Sequence, residues 1–394
     1  MYDAIVVGAR CAGSPTAMLL ARRGYDVLLV DRAAFPSDTV STHYVHQPGV
    51  ASLARWGLLG RVAASNCPPV RRQTFDVGQV AFAGTPPPAD GVGDAFAPRR
   101  TVLDRILIEA AVEAGAELRE RFTVEDVAVE DGRVVGIRGR QGGGRSTVER
   151  ARIVVGADGV HSLVALRVGA SFTDARPART CAYYTYWDDA AVDGVELYPR
   201  PGRMVITGPT NDGQRIVTVF WPNELFREVR ADVERAFGDA VELAPALAER
   251  LRAGRRGSPF RGTQHLPFFL RKPFGPGWAL VGDAGYHKDP ITAAGITDAF
   301  RDAELLADAI DAGLSGRAAL DDALAGYERE RDARSRSMYE LTYRFASLEP
   351  PPADEQRLFA GLRDDREAAN RFFGTIAGTV PVGEFFGPPV QAAA

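Results

Sequence analysis

Lysine is nearly absent from this chain: Lys272 and Lys288 are the only two among 47 basic residues, and the rest are arginine. Coding bias accounts for most of that, yet Lys288 falls inside a motif described below, where a compact ammonium and a planar guanidinium are not equivalent. Cysteine is also scarce. Cys11, Cys67 and Cys181 are odd in number and widely spaced, which argues against a disulfide framework or a zinc site and leaves them as reduced structural thiols. Five histidines share no metal-ligand spacing, so no metal is expected. No apolar run approaches the roughly 18 residues of a membrane span, and no integral membrane association is expected. A net charge of −4 supplies no basic stripe, which sets nucleic acid aside as a partner. The first expected strand begins at Tyr2, leaving no room for a signal peptide, so the expected location is cytoplasmic. With 394 residues, 45% of them hydrophobic, the chain can bury a large core in two or three structural units.

Glycine, by contrast, stands at informative places. Residues 2–7 read as a buried strand, Gly8-Ala9-Arg10-Cys11-Ala12-Gly13 as a turn, and residues 12–23 as a helix. Gly24-Tyr25-Asp26 then turns into the apolar strand Val27-Leu28-Leu29-Val30, which ends at Asp31 and Arg32. Such a unit brings a pyrophosphate onto a helix N-terminus, with an acid after the second strand for the ribose hydroxyls. Gly8, Ala12 and Gly13 are therefore phosphate-end candidates, and Asp31 and Arg32 are ribose-end candidates. The fingerprint departs from G-x-G-x-x-G at Arg10, which replaces the second glycine and is expected to set a cation beside the phosphates. Far downstream, the apolar strand Ala279-Leu280-Val281 runs into Gly282-Asp283, and Asp289-Pro290 and Gly295-Ile296 lead into a long helix. Together the two segments point to tightly but non-covalently bound FAD.

Between them the pattern alternates. Residues 71–97 carry short strand-like runs broken by Gly and Pro, and residues 101–115 form an amphipathic helix. Residues 124–129, 133–138 and 147–155 read as an antiparallel meander with Asp131-Gly132 as its hairpin turn. Residues 181–187, 196–198, 204–207 and 216–221 are β-branched or aromatic runs, and residues 225–252 a helical stretch. Helices are expected over 297–314 and 320–347, followed by a break at Pro350-Pro351-Pro352 and a mainly helical tail. The expected fold class is α/β: a Rossmann-like FAD-binding domain of the glutathione-reductase type, an inserted, mainly antiparallel β-sheet substrate domain, and a helical C-terminal tail. The expected boundaries are 1–70, 98–178 and 272–347 for the discontinuous FAD domain, 71–97 and 179–271 for the substrate domain, and 348–394 for the tail.

Three motifs in order carry a resemblance: the Gly8 to Asp31 fingerprint, Gly156-Ala157-Asp158-Gly159-Val160-His161-Ser162, and Gly282-Asp283-Ala284-Gly285 with Asp289-Pro290 and Gly295-Ile296. Through about residue 345 the chain resembles the FAD-dependent monooxygenases of the para-hydroxybenzoate hydroxylase fold, in the branch that includes geranylgeranyl reductases and flavin halogenases. The resemblance implies that Asp283 accepts from ribityl or ribose hydroxyls and that Pro290 fixes a turn beside the ring. It also implies that Gly295 and Ile296 offer free helix amides to the flavin edge. Arg100, with Arg99 as competing candidate, matches an arginine that touches the cofactor, and the backbone at Val124 matches the position that meets adenine. Asp158 is expected to tie the meander to the flavin domain. Ala165 stands where the family usually has an arginine, which puts its usual nicotinamide docking in doubt.

The reaction implied is NAD(P)H reduction of FAD followed by O2 addition at flavin C4a. The hydroperoxide would hydroxylate or epoxidise an apolar, aromatic or polyketide-like small molecule, with NAD(P)H visiting transiently. In the loop 38–46, His43 and His46 are candidates for proton donation or relay, or else hold the loop and ribityl chain. Tyr184 and Tyr186 share one face of a strand and, with Trp221 and His265, are candidate substrate contacts. An alkene reductase like the geranylgeranyl reductases is the alternative, although their Tyr-x-Trp-x-Phe-Pro segment is absent. A halogenase, whose Trp-x-Trp-x-Ile-Pro segment is also absent, and a non-enzymatic flavin-fold binding protein rank below it.

Overall fold

The structure, a computed structural model, describes residues 1–190 and 194–387. Tyr2–Val7 lies inside an eight-stranded sheet, flanked in parallel by Val27–Val30, with Val6 opposite Leu29, and by Thr147–Gly156, with Ile5 opposite Val154. Glu117–Arg119 extends the sheet on one side and Trp278–Leu280 on the other, both in parallel. Residues Ala4 to Val7 are all buried, with no alternation, because both faces are covered. Ala4 and Val6 pack under the helices Gly13–Ala21, Arg100–Glu113 and Gly295–Leu314. Ile5 and Val7 pack instead against Phe122, Val134 and Ile137 of an antiparallel meander. That meander is Phe122–Glu130, Arg133–Gln141 and Thr147–Gly156. Its hairpin turns at Asp131 and Gly132, both at positive φ (48° and 77°), the pair of left-handed residues that a two-residue loop needs.

A second sheet runs Arg255–Arg256, Thr180–Asp188, Arg215–Pro222, Arg203–Pro209, Val195–Arg200, Gln73–Asp76 and Ala81–Gly84. Arg261–Thr263 also pairs with Thr180–Asp188. All of its pairings are antiparallel except Val195–Arg200 with Gln73–Asp76. Helices back one face. The expected continuous helical stretch there is three helices, Phe226–Ala231, Val233–Glu242 and Pro245–Ala253. Asp232 leaves the helical backbone (φ −150°, ψ 75°) and accepts from the Arg235 amide, which starts a new helix, and Pro245 starts the next.

The tail forms the helices Ala353–Leu362, Arg366–Ala377 and Gly383–Phe386, while residues 388–394 of the expected tail lie outside the described residues. It is anchored by aromatics: Phe359 and Phe372 lie 5.4 and 5.6 Å from Phe75, and Phe373 lies 5.6 Å from Phe82, ring centre to ring centre. Among the described residues no helix is long and apolar enough to cross a membrane.

Candidate cofactor and substrate site

The site begins where two glycines bring three chain segments together. Gly8 has φ 106°, and a Cβ there would sit 2.4 Å from the Ala157 carbonyl oxygen. At Gly13 a Cβ would fall 1.7 Å from the carbonyl oxygen of Gly8, so both positions demand glycine. The helix that follows has Ala12 at its N-cap with no side-chain cap bond; Ser14 N donates to the Arg10 carbonyl at 3.0 Å and Pro15 has no N–H, which leaves the amide of Gly13 for an anion. At the ribose end Asp31 accepts from the amides of Ala9 and Ala33, both at 2.8 Å, and each oxygen keeps a lone pair for a hydroxyl. Arg32 beside it is exposed, and Val124 sits at a register shift in the meander.

Arg10 does not act as the free cation that its position suggests. Its guanidinium is committed to Asp104 at 2.5 Å and to Ser37 Oγ at 2.7 Å. Asp104, fully buried, also accepts from Arg100 Nε at 3.0 Å and from Cys11 Sγ at 3.3 Å. Burial above all pushes the Cys11 thiol well above its usual range, in keeping with a structural thiol. Arg100 thus reaches the fingerprint from its helix start, whereas Arg99 turns away and lies over the Tyr186 ring at 4.7 Å.

The downstream motif meets the first one directly. Gly282, at φ 60°, has no room for a Cβ, which would lie 2.7 Å from the Cβ of Ala12. Asp283 is exposed beside it. Asp289 caps the next turn by accepting from Ile291 N at 3.0 Å and from the Thr180 hydroxyl, and burial pushes its carboxyl up to about 7. Pro290 opens that turn, and Ala293, at φ 52°, redirects the chain into Gly295–Leu314. The N-terminus of this long helix has no side-chain cap, Ile296 is buried beneath it, and a Cβ on Gly295 would point into open space. Gly282, Asp283 and the uncapped helix start at Gly295 line one small pocket, and Ala12 of the phosphate turn abuts Gly282. These residues fit FAD, and what FAD supplies when bound is redox chemistry at its ring.

Lys288 is fully committed. Its ammonium is buried against the Asp298 carboxylate and donates to Tyr286 Oη at 2.8 Å, a pocket for a compact point charge. Lys272 pairs with Glu328 at 2.7 Å and lies over the Phe274 ring.

An apolar cavity of about 50 Å³, measured as the space open to the centres of water-sized spheres, adjoins the turn that Pro290 opens. Its floor is Ile291, Thr292 and Ala293, its walls include Leu197, Ile206, Ile216, Thr218 and Phe220 of the second sheet, and Ile376 of the tail closes it. His46 lines it and His43 does not. The His46 Nε2 donates to the Thr292 carbonyl at 3.0 Å, its Nδ1 has no partner, and burial pushes it down to about 4. His43, at φ 63°, stacks on Tyr186 with ring centres 5.8 Å apart and hydrogen-bonds its hydroxyl. Burial, helped by Arg100 and Arg99, pushes His43 down to about 3. Both imidazoles are neutral at pH 7, so neither stores a proton there.

Tyr184 and Tyr186 share the cavity-side face with Ile216, as their alternation implied, but they cover His43 and do not line the cavity. Trp221 is a correction. It sits directly opposite Cys181, on the face that packs with Phe237 beneath the helices, and does not reach the cavity. His265 is likewise elsewhere, exposed and stacked on His161 at 4.6 Å. Asp158 bonds locally, accepting from Ser162 Oγ at 2.5 Å and Leu163 N at 2.7 Å at a helix start. Gln73, Tyr44 and Ile376 of the cavity went unnoticed in the sequence. Single residues in a short strand, a loop and the tail carry no pattern that announces them.

A Rossmann-like sheet carrying a dinucleotide turn, joined to a second sheet that walls an apolar cavity, is the arrangement of an FAD-dependent oxidoreductase. The chain belongs to the FAD binding domain family, which residues 1–342 match. It is 28% identical over 345 residues to a digeranylgeranylglycerophospholipid reductase from Methanocella arvoryzae, covering 86% of this chain and 84% of that one. Among solved structures it is similar to the myxobacterial chondrochloren halogenase CndH (TM-score 0.82, 25% identity, covering 94% of this chain and 90% of that one). It is also similar to PqsL from Pseudomonas aeruginosa in complex with 2-aminobenzoylacetate (TM-score 0.78, 26% identity, covering 92% of this chain and 99% of that one).

Proposed function

We propose that this enzyme is a flavin monooxygenase that takes reducing equivalents from a transiently bound NAD(P)H and inserts one atom of O2 into an apolar small molecule. The observation that carries the reading is the cavity itself. It is apolar and shares Thr292 and Ala293 with the turn leading to the flavin-facing helix. The chain's part is to bind and orient the substrate and to exclude water from the ring, with Ile376 closing the cavity from the tail. His46, neutral and fixed by Thr292, offers an acceptor at the cavity wall and not a stored proton.

The lysines weigh against a halogenase, because both amines are held in ion pairs and neither lines the cavity. The likeness to a digeranylgeranylglycerophospholipid reductase keeps alkene reduction as the second reading. The FAD-loaded protein is to be reduced anaerobically with NADPH or NADH and then given isotopically labelled O2 with a candidate substrate. One labelled oxygen atom in the product supports oxygenation. Saturation of an alkene by the reduced enzyme without O2 would replace that reading with reductase.

A further inference from the structure

Thr42, Thr207, Thr218 and Thr292 bring hydroxyls to the cavity lining, and Gln73, Tyr44 and His46 form its cluster of larger polar side chains. The His46 ring has two nitrogens. Nε2 faces the Thr292 carbonyl at 3.0 Å, and a carbonyl only accepts, so Nε2 carries the ring proton. Nδ1 is therefore a bare lone pair, buried and without a partner. The ring is 3% exposed, so an unsatisfied acceptor there costs free energy that a bound donor would recover. Tyr44 packs edge-on against His46, ring centres 4.7 Å apart, and its hydroxyl accepts from Gln73 Nε2 at 3.2 Å. That bond leaves the hydroxyl proton of Tyr44 to donate elsewhere. Burial pushes the Tyr44 hydroxyl above its usual range, so it keeps the proton.

Charge is the second half of the argument. Among the described residues lining the cavity there is no Asp, Glu, Lys or Arg. The nearest cation of the downstream motif, Lys288, is neutralised by Asp298. A carboxylate in this cavity would lose its hydration and meet no counter-charge.

Resting on the reading of this cavity as the substrate site, we propose that Tyr44 and His46 select an uncharged substrate by its hydroxyl group. One hydroxyl satisfies both, donating its proton to His46 Nδ1 and accepting from Tyr44 Oη, while Gln73 sets the direction of Tyr44. The remainder of the molecule is apolar, and anionic analogues are excluded. The two residues are specificity determinants that act on the ligand's polar end whichever bond the flavin then transforms.

The test is equilibrium binding to the oxidised FAD holoenzyme, read from perturbation of the flavin absorbance, with three matched probes: 1-naphthol, 1-methoxynaphthalene and 1-naphthoate. Naphthol is expected to bind about tenfold more tightly than the ether, and naphthoate more weakly than both. His46→Gln keeps an amide donor for Thr292 and removes the Nδ1 acceptor, and Tyr44→Phe removes only the hydroxyl. His46→Gln is expected to bring naphthol and the ether to within about twofold of each other while the ether's own affinity is kept, whereas Tyr44→Phe, which removes a donor that both oxygens accept from, is expected to weaken both probes and keep the preference for naphthol. Bound FAD and an unchanged melting temperature show that either variant is folded. Equal binding of naphthol and ether by the unmutated enzyme overturns the proposal, as do preference for naphthoate and failure of all three probes to bind. Because no turnover is measured, an absence of oxygenated product would refute the monooxygenase reading and leave this one standing.

Discussion

Arg10 and Asp104, brought together from the first turn and the helix Arg100–Glu113, form an ion pair at 2.5 Å with the carboxylate completely buried. Asp104 also neutralises Arg100, whose side chain is 10% exposed, whereas that of Arg10 is 26% exposed. Asp104→Ala strands Arg100 without a counter-charge and is expected to cost about 3–5 kcal/mol. Arg10→Ala, at the better solvated partner, is expected to cost about 1 kcal/mol or less. Urea unfolding of the two variants checks the ranking, and equal losses would show that Arg100 does not depend on Asp104.

Two glycines of the site separate folding from cofactor binding. Gly8→Ala meets the Ala157 carbonyl and a left-handed backbone, and is expected to lower stability by about 1–3 kcal/mol or more. Gly295→Val projects into open space, so the melting temperature of the FAD-free protein should hardly move. Its affinity for FAD should fall about tenfold or more, measured by titration of the FAD-free protein. A Gly295→Val variant that retains full FAD affinity would place the ring elsewhere.

Stability should depend on pH through three buried groups of opposite sense. His43 and His46 are pushed down to about 3 and about 4, so between about pH 4 and 6.5 the unfolded chain binds protons that the native protein does not. Their contribution is lost as pH falls through that window. Asp289, pushed up to about 7, holds a proton in the native state that the unfolded chain has released above about pH 4. Its contribution runs the other way and is lost as pH rises towards 7. The two histidines make stability rise with pH between about 4 and 6.5, and Asp289 offsets part of that rise. Asp289→Asn should steepen that rise, and a shallower slope in the chemical denaturation series would contradict the assignment.

The tail carries both stability and closure of the cavity. Phe372 is fully buried among Phe75, Phe82 and Phe359, and Phe372→Ala is expected to cost about 3–5 kcal/mol. Ile376→Trp should instead fill the cavity, reducing binding of 1-naphthol about tenfold or more while FAD stays bound. Unchanged naphthol binding in that variant would separate the tail from the site.

Short-range chemistry made much of this molecule legible in its residues. The positions of Gly8, Gly13 and Gly282 mark close approaches that only a missing Cβ permits, and the Asp131-Gly132 pair marks a hairpin by backbone conformation alone. The period of a strand put Tyr184 and Tyr186 on one face. What a strand's own period does not contain is its register against a neighbour. Trp221 faces the helices because it pairs with Cys181, a relationship set by the whole sheet. The same limit applies to Arg10, whose charge reads as phosphate-facing until Asp104 is folded against it, and to His43 and His46, three residues apart in one loop but separated by Tyr44 into different surroundings. Local sequence determines turns, periods and motifs because their energetics lie within a few residues. Ion pairs, register and cavity walls depend on which distant segments desolvate one another, and only the tertiary structure decided those.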